Sequence, residues 1–255
     1  MKRIVYGINP VREALKSSLS QKKGNKGKEL SELLVLKSRS DSLLQEILIL
    51  AKKKRITPKL VTKGVLDGAA GATSHQGVLL TFKGGFEYLD IEDLLEKWRA
   101  SKKKSALFVV LDCIQDPQNA GSLIRASLGA GADGLIIAKD RAAGVTPVVE
   151  KASAGASEIL PIARVTNIAL TLKRLKEAGL WTVALEGGSK TSIYQTDMKG
   201  NIALVIGSEG SGIRRLVKKE CDIVASIPIN KKLESLNAAQ AGTIALFEAC
   251  RQRGK

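Results

Sequence analysis

Apolar residues fall into short continuous runs that alternate with stretches of helical spacing from residue 105 to the C-terminus. Strand-like runs occupy 106–112, 134–138, 158–162, 180–185, 202–206 and 222–227, and helical spacing fills 119–130, 147–155, 167–178, 212–219 and 236–251. This alternation predicts an α/β domain with a mainly parallel sheet and helices on both faces. The N-terminal part is less regular. It reads as a strand over 3–6, a helix capped by Asn9 with Pro10 at its first position, and a polar loop over 17–30. A strand at 32–37, a helix at 41–54, a strand at 57–61, a short helix at 64–70 and a strand at 77–82 complete it. Gly84-Gly85 then breaks the chain ahead of a charged, partly helical stretch. The predicted organisation is a small α/β domain over 1–82, a linker over 83–104 and a larger α/β domain over 105–255.

Charge sharpens this picture. The 255 residues carry 41 Lys+Arg and 25 Asp+Glu, a net charge of +16. The excess is uneven: residues 1–88 hold 17 basic and 7 acidic residues, and residues 89–255 hold 24 and 18. Basic clusters stand at Lys22-Lys23, Lys26, Lys28 and Lys52-Lys53-Lys54-Arg55, with Lys102-Lys103-Lys104 further on. A polyanionic partner is expected, with nucleic acid favoured over a set of merely solvated faces. Aromatic residues make up only 4% of the chain, so phosphate contact and shape reading fit better than base stacking.

Several chemistries are disfavoured. No run approaches the roughly 18 apolar residues of a membrane span, and the N-terminus lacks the apolar core of a secretory signal. Cys113, Cys221 and Cys250 are odd in number and widely spaced, which argues against a disulfide framework and a CxxC metal pair. The single histidine, His75, lies in a turn before a strand of the N-terminal part; it reads as structural or as an RNA contact rather than a catalytic base. A cytoplasmic protein is expected.

Three loops look chemical. The first, Asp112-Cys113-Ile114-Gln115-Asp116-Pro117-Gln118-Asn119-Ala120-Gly121 with Arg125 beyond it, follows a strand and opens a helix that Asn119 could cap. A helix N-terminus followed by an arginine suits a phosphate. The second, Gly207-Ser208-Glu209-Gly210-Ser211-Gly212, follows a buried strand, and its three glycines permit close backbone approach to a ligand. It lacks the GK[ST] ending of a nucleotide P-loop, and Glu209 would repel a triphosphate, so a small cationic or neutral ligand is expected. The third runs from Ile227-Pro228-Ile229 to Glu234-Ser235-Leu236-Asn237, with Ser235 expected to cap the last helix. All three should meet at the C-terminal edge of the sheet. Gly129-Ala130-Gly131-Ala132-Asp133-Gly134 matches GxGxxG but follows a helix and precedes a strand, the reverse of a dinucleotide site.

Together the three loops resemble the signature motifs of the SpoU (TrmH) family of RNA ribose 2′-O-methyltransferases. Asp-Pro-x-Asn-x-Gly-x-x-x-Arg, Ile-Gly-Ser-Glu-Gly-x-Gly and Ile-Pro-Ile with Ser-Leu-Asn occur in the family's order across residues 111–248. Tyr6-Gly7-Ile8-Asn9-Pro10-Val11 and His75-Gln76-Gly77-Val78 are similar to the branch that modifies guanosine in 23S rRNA. That branch carries a ribosomal-protein-like RNA-binding domain ahead of the catalytic one.

The resemblance implies S-adenosylmethionine as methyl donor, no metal, ribosomal RNA as substrate, a homodimer, no membrane partner and a trefoil knot in the catalytic domain. It places Gly207, Ile227 and Leu236 at the donor, and Asn119, Arg125, Glu209, Ser235 and Asn237 among the active-site polar groups. It also implies that Arg125 grips the phosphate beside the target ribose, with Asn119, Ser235 and Asn237 orienting it. A guanidinium is a poor base, so the proton acceptor stays open. Gln240 departs from the small or branched apolar residue usual in the third motif and could alter the dimer contact or be exposed. A tRNA ribose methyltransferase, a resistance methyltransferase of rRNA and a non-catalytic RNA-binding assembly protein are the alternatives.

Overall fold

A computed structural model describes residues 2–19, 29–230 and 232–254, with only the backbone of Leu19. Most of the loop expected over 17–30, with Lys22, Lys23, Lys26 and Lys28, lies outside the described residues. The elements in chain order are β1 (Lys2–Tyr6), α1 (Ile8–Leu19), β2 (Leu30–Leu36), α2 (Ser42–Lys53), β3 (Lys59–Val61), α3 (Lys63–Ala70) and β4 (Val78–Lys83). Then come α4 (Ile91–Ala100), β5 (Leu107–Asp112), α5 (Pro117–Gly129), β6 (Gly134–Ala138), α6 (Pro147–Ala152), β7 (Ile162–Val165) and α7 (Ile168–Glu177). The chain ends with β8 (Trp181–Leu185), β9 (Thr191–Ser192), β10 (Ile202–Gly207), α8 (Arg215–Lys219), β11 (Ile223–Ser226) and α9 (Ala238–Gln252).

The chain forms two compact units, residues 1–87 with 145–159, and residues 88–144 with 160–255. The first is built on a mixed sheet in the order β1-β4-β2-β3, with only the β2–β3 pair parallel. Alternate side chains of each strand point to opposite faces. Val5, Leu33, Val35, Leu80 and Phe82 pack on one face with Val11 and Leu15 of α1 and Leu44 and Ile47 of α2. Tyr6, Leu34 and Leu79 pack on the other face with Leu66 of α3. His75 is buried here: its Nδ1 accepts from Gly77 N at 2.9 Å, so the proton sits on Nε2, 3.0 Å from Asp67 Oδ1.

Residues 145–159 join this unit through charge. The Arg3 guanidinium donates to Glu150 Oε1 at 2.6 Å and to Glu158, and it lies 5.0 Å from the Phe82 ring and 4.9 Å from the Phe86 ring. A buried cation needs this compensation, because an unpaired charge in a low-dielectric interior costs several kcal/mol, on the order of 3–5 when a partner is removed.

The second unit carries a seven-stranded sheet in the order β7-β6-β5-β10-β8-β11-β9, and every strand pair is parallel. The central strands β5, β6 and β10 are buried at every position, as parallel strands covered on both faces must be. α4, α7 and α8 contribute Leu94, Leu172 and Val217 to the core on one face. α5 and α9 pack together on the other; a Cβ built at Gly242 of α9 would lie 2.4 Å from Leu123 of α5 and 2.7 Å from Ile206 of β10.

The elements depart from the sequence reading in four places. The strand expected at 158–162 runs over Ile162–Val165, after Pro161, which cannot donate to a ladder. Glu158 instead faces Arg3 within a 3-10 turn. The linker span 83–104 contains α4, whose Ile91, Leu94 and Leu95 are core residues of the second unit. The first helix begins at Ile8, so Asn9 and Pro10 lie inside its first turn. β9 had no signal: two residues are too few for periodicity to register.

The C-terminus of α9 is stapled to the chain near β10. Glu248 accepts both Arg251 Nε and Nη2 at 2.8 Å, and Gln252 joins Glu248 to Met198 N and Thr196 O. The Arg251 hydrogen bonds hold the Glu248 carboxyl well below the usual range, at about 2. A depressed folded-state value means that this stabilisation is fully present above the unfolded value and is lost as pH falls through the folded one. Thermal melts from pH 6 to pH 2 should therefore show a loss of Tm below about 4.5, shallower in Glu248→Gln, and parallel acid profiles for the two proteins would disprove the coupling.

Candidate active site

The three chemical loops emerge at the C-terminal ends of β5, β10 and β11, with β8 between the last two. Gly207, the last residue of β10, is in register with Asp112, the last residue of β5. The first loop follows β5. Its helix is capped by Asp116, whose side chain accepts from Asn119 N at 2.9 Å, with Pro117 next, where no backbone N–H is needed. Asn119 is therefore not the cap expected from sequence, and its side chain is free for other work.

That work is a contact to the second loop. Asn119 Nδ2 donates to Glu209 Oε1 at 2.9 Å. Asn237 Nδ2 donates to the same oxygen and to Asn119 Oδ1, the latter at 3.0 Å. Ala238 N adds a donor at 3.3 Å. One carboxylate oxygen thus collects N–H groups from the starts of two helices, where the macrodipole also favours negative charge. Asn237, not Ser235, caps α9: its Oδ1 accepts from Ala239 N at 2.9 Å and Gln240 N at 3.2 Å. Ser235 is exposed ahead of the helix.

A second brace joins the first two loops. Asp112, 0% exposed, accepts from Arg214 N and Arg214 Nε, each at 2.8 Å. The Asp112 carboxylate pushes the Arg214 guanidinium up. Sequence reading missed this pair, since Asp112 ends an apolar run and Arg214 is one of two consecutive arginines.

The second loop folds back on itself through Ser208 N to Gly212 O at 3.2 Å and Gly212 N to Ser208 O at 3.0 Å. A Cβ at Gly207 would lie 2.3 Å from the Gly212 carbonyl carbon and 2.4 Å from Ile213 N. Glycine is required because the loop's own backbone occupies the space, not because of φ.

Beside this loop is a cleft of about 270 Å³. Leu185, Ile206, Ile227 and Leu236 form apolar walls, with Gly207 and Ser235 at the lining. Its charged lining residues are Glu186, Glu209 and Glu234, and no Lys or Arg lines it among the described residues. In a chain of net charge +16, the contrast marks a site for a cationic ligand with an apolar part. S-adenosylmethionine, a sulfonium joined to adenosine, fits that description.

Five of the site residues expected from sequence, Gly207, Glu209, Ile227, Ser235 and Leu236, line this cleft, and Asn119 and Asn237 reach it through Glu209. Arg125 stands apart. It is exposed on α5 and makes no hydrogen bond or ion pair among the described residues. Gln240 is likewise exposed.

Residues 106–247 match the SpoU rRNA Methylase family. The chain belongs to that family. Residues 4–86 match the RNA 2′-O ribose methyltransferase substrate-binding family. Over 98% of its length the chain is 37% identical to the 23S rRNA (guanosine-2′-O-)-methyltransferase of Xylella fastidiosa, covering 96% of that protein. The Escherichia coli protein of the same name is 33% identical over 99% of this chain and 100% of its own. The crystal structure of the SpoU methyltransferase AviRb from Streptomyces viridochromogenes in complex with AdoMet superposes with a TM-score of 0.79 at 25% identity, covering 99% of this chain and 90% of that one. The parallel sheet of the second unit, with helices on both faces, agrees with the α/β fold class expected from the sequence.

Because loop backbone already fills the Cβ position at 207, Gly207→Val should displace residues 207–213. The expected loss in affinity for S-adenosylmethionine is at least about tenfold, or about 1.4 kcal/mol. Calorimetric titration alongside a thermal melt checks this; unchanged affinity in the folded variant would place the donor elsewhere.

Proposed function

We propose that this protein transfers the methyl group of S-adenosylmethionine to the ribose 2′-hydroxyl of a guanosine in 23S rRNA. The observation that carries the reading is the cleft beside the glycine loop, lined by three carboxylates and joined through Glu209 to Asn119 and Asn237. The names of the full-length relatives supply the substrate.

S-adenosylmethionine, when bound, would supply an activated methyl: transfer would form the oxygen–carbon bond, break the carbon–sulfur bond with its pair left on sulfur, and release the hydroxyl proton to solvent. This chain's residues have the tasks of holding and orienting. Gly207, Ile227 and Leu236 hold the adenosyl part against backbone and apolar walls. Asn119, Glu209 and Asn237 form a fixed polar cluster that orients the groups at the cleft, with Ser235 at its mouth. Pre-organisation of this kind removes much of the entropic cost of alignment. Arg125, without a partner among the described residues, is suited to the phosphate beside the target ribose, where a guanidinium binds in bidentate fashion.

Residues 1–82 act in this reading as the RNA-binding domain and 105–255 as the catalytic domain, in a cytoplasmic homodimer whose catalytic fold carries the family's trefoil knot. Exposed Phe247 on α9, beside Gly129 of α5, supports an apolar contact between copies. No described helix is long and apolar enough to cross a membrane.

Arg125→Ala should abolish methylation of 23S rRNA, mapped nucleotide by nucleotide, while leaving S-adenosylmethionine affinity nearly unchanged. Wild-type activity at saturating rRNA would remove Arg125 from the reaction. Affinity for rRNA should also fall about tenfold or more between 50 and 200 mM salt, as counterion release requires. A flat salt profile in a filter-binding titration would contradict phosphate-led binding by the basic N-terminal residues.

A further inference from the structure

We infer that Glu186 reads the ribose of the methyl donor, accepting a hydrogen bond from one of its hydroxyls; the inference rests on the function proposed above. Glu186 follows β8 and lines the cleft. Its two carboxylate oxygens have different surroundings. Oε1 accepts from Lys218 Nζ of α8 at 3.0 Å. Oε2 is buried and has no hydrogen-bond partner among the described residues. The carboxylate packs over the glycine loop, since a Cβ at Gly212 would stand 3.4 Å from Oε2.

A buried oxygen without a donor loses its hydration and gains nothing in return, unless a ligand supplies the hydrogen bond. The other two acidic groups of the cleft have different situations. Glu209 Oε1 already takes three N–H donors, and Glu234 is exposed. Glu186 is thus the one of the three with a buried, unused acceptor.

The Lys218 ammonium decides what that acceptor receives. It lies 3.0 Å from Oε1, so the pair is close to neutral overall and draws a further cation less strongly than a lone carboxylate would. The sulfonium and the amino group of the donor therefore gain less from Glu186 than from an unpaired carboxylate. A neutral hydroxyl is well matched, and a carboxylate accepting from a ribose hydroxyl is a recurrent way to hold an adenosine-containing ligand. Glu186 is accordingly a specificity-determining residue for the donor, with no part in moving the proton.

The test is calorimetric titration of the full chain with S-adenosylhomocysteine, its 2′-deoxy and 3′-deoxy analogues, and S-adenosylmethionine. Wild type should bind at least one deoxy analogue about tenfold more weakly than the parent. Glu186→Gln should weaken S-adenosylhomocysteine and S-adenosylmethionine by the same factor, about tenfold, and leave the sensitive deoxy analogue within about twofold. Lys218→Met, which removes only the ion pair, should affect parent and deoxy ligands alike. Equal wild-type affinity for all three homocysteine ligands overturns the inference whether or not the variant folds. So does a Glu186→Gln loss confined to S-adenosylmethionine, which would mean sulfonium recognition, or one shared equally by both deoxy analogues. Failure of the wild type to bind either parent ligand would instead refute the proposed function.

Discussion

Glu209 Oε1 accepts hydrogen bonds from Asn119, Asn237 and the Ala238 backbone, and so fixes the relative positions of three loops that leave three different strands. Residues 119 and 237 are far apart in the chain, so their approach is a product of strand order. The parallel order β5-β10-β8-β11 puts the loop exits side by side on one edge. Asp112 and Arg214 repeat the device deeper in the structure, where a fully buried carboxylate holds the exit of the glycine loop against the end of β5. A rigid sheet with two polar cross-braces keeps the site's geometry from depending on loop conformation alone.

This arrangement lines the cleft with acidic groups in a chain of net charge +16. The surface excess of Lys and Arg suits a polyanion, while Glu186, Glu209 and Glu234 give the cleft the opposite sign. Separation of sign is useful to an enzyme with two unlike substrates. A negatively lined pocket disfavours phosphate, and a basic exterior attracts a polyanion over long range.

The architecture was legible because buried parallel strands leave a strong trace. β5 and β10 are apolar at nearly every position and sit in the middle of the sheet, and both were located to within a residue. The reading lost accuracy where one residue's role is set by a distant one. The apolar stretch around Ile159 resembles a strand, yet Glu158 is drawn to Arg3, 155 residues away, and the strand starts beyond Pro161. Likewise the charged face of α4 hides Leu94 and Leu95, which are identified as core only by what packs on them.

The candidate site was legible as a set of residues, most of which the fold brings close together, but not as a division of labour. The resemblance to the family's motifs singled out Asn119, Arg125, Glu209, Ser235 and Asn237, and three of the five meet at one oxygen. Cap assignments were misplaced because Asp116 and Asn119, or Ser235 and Asn237, are equally good caps by residue type; only the backbone decides between them. The choice has a chemical consequence. With Asp116 as the cap, the Asn119 amide is released to donate to Glu209 and accept from Asn237. Asn237, by contrast, divides its side chain: Oδ1 closes α9 and Nδ2 reaches the site. The last helix therefore cannot fray at its start without withdrawing a donor from Glu209, which couples the folding of α9 to the assembly of the cleft.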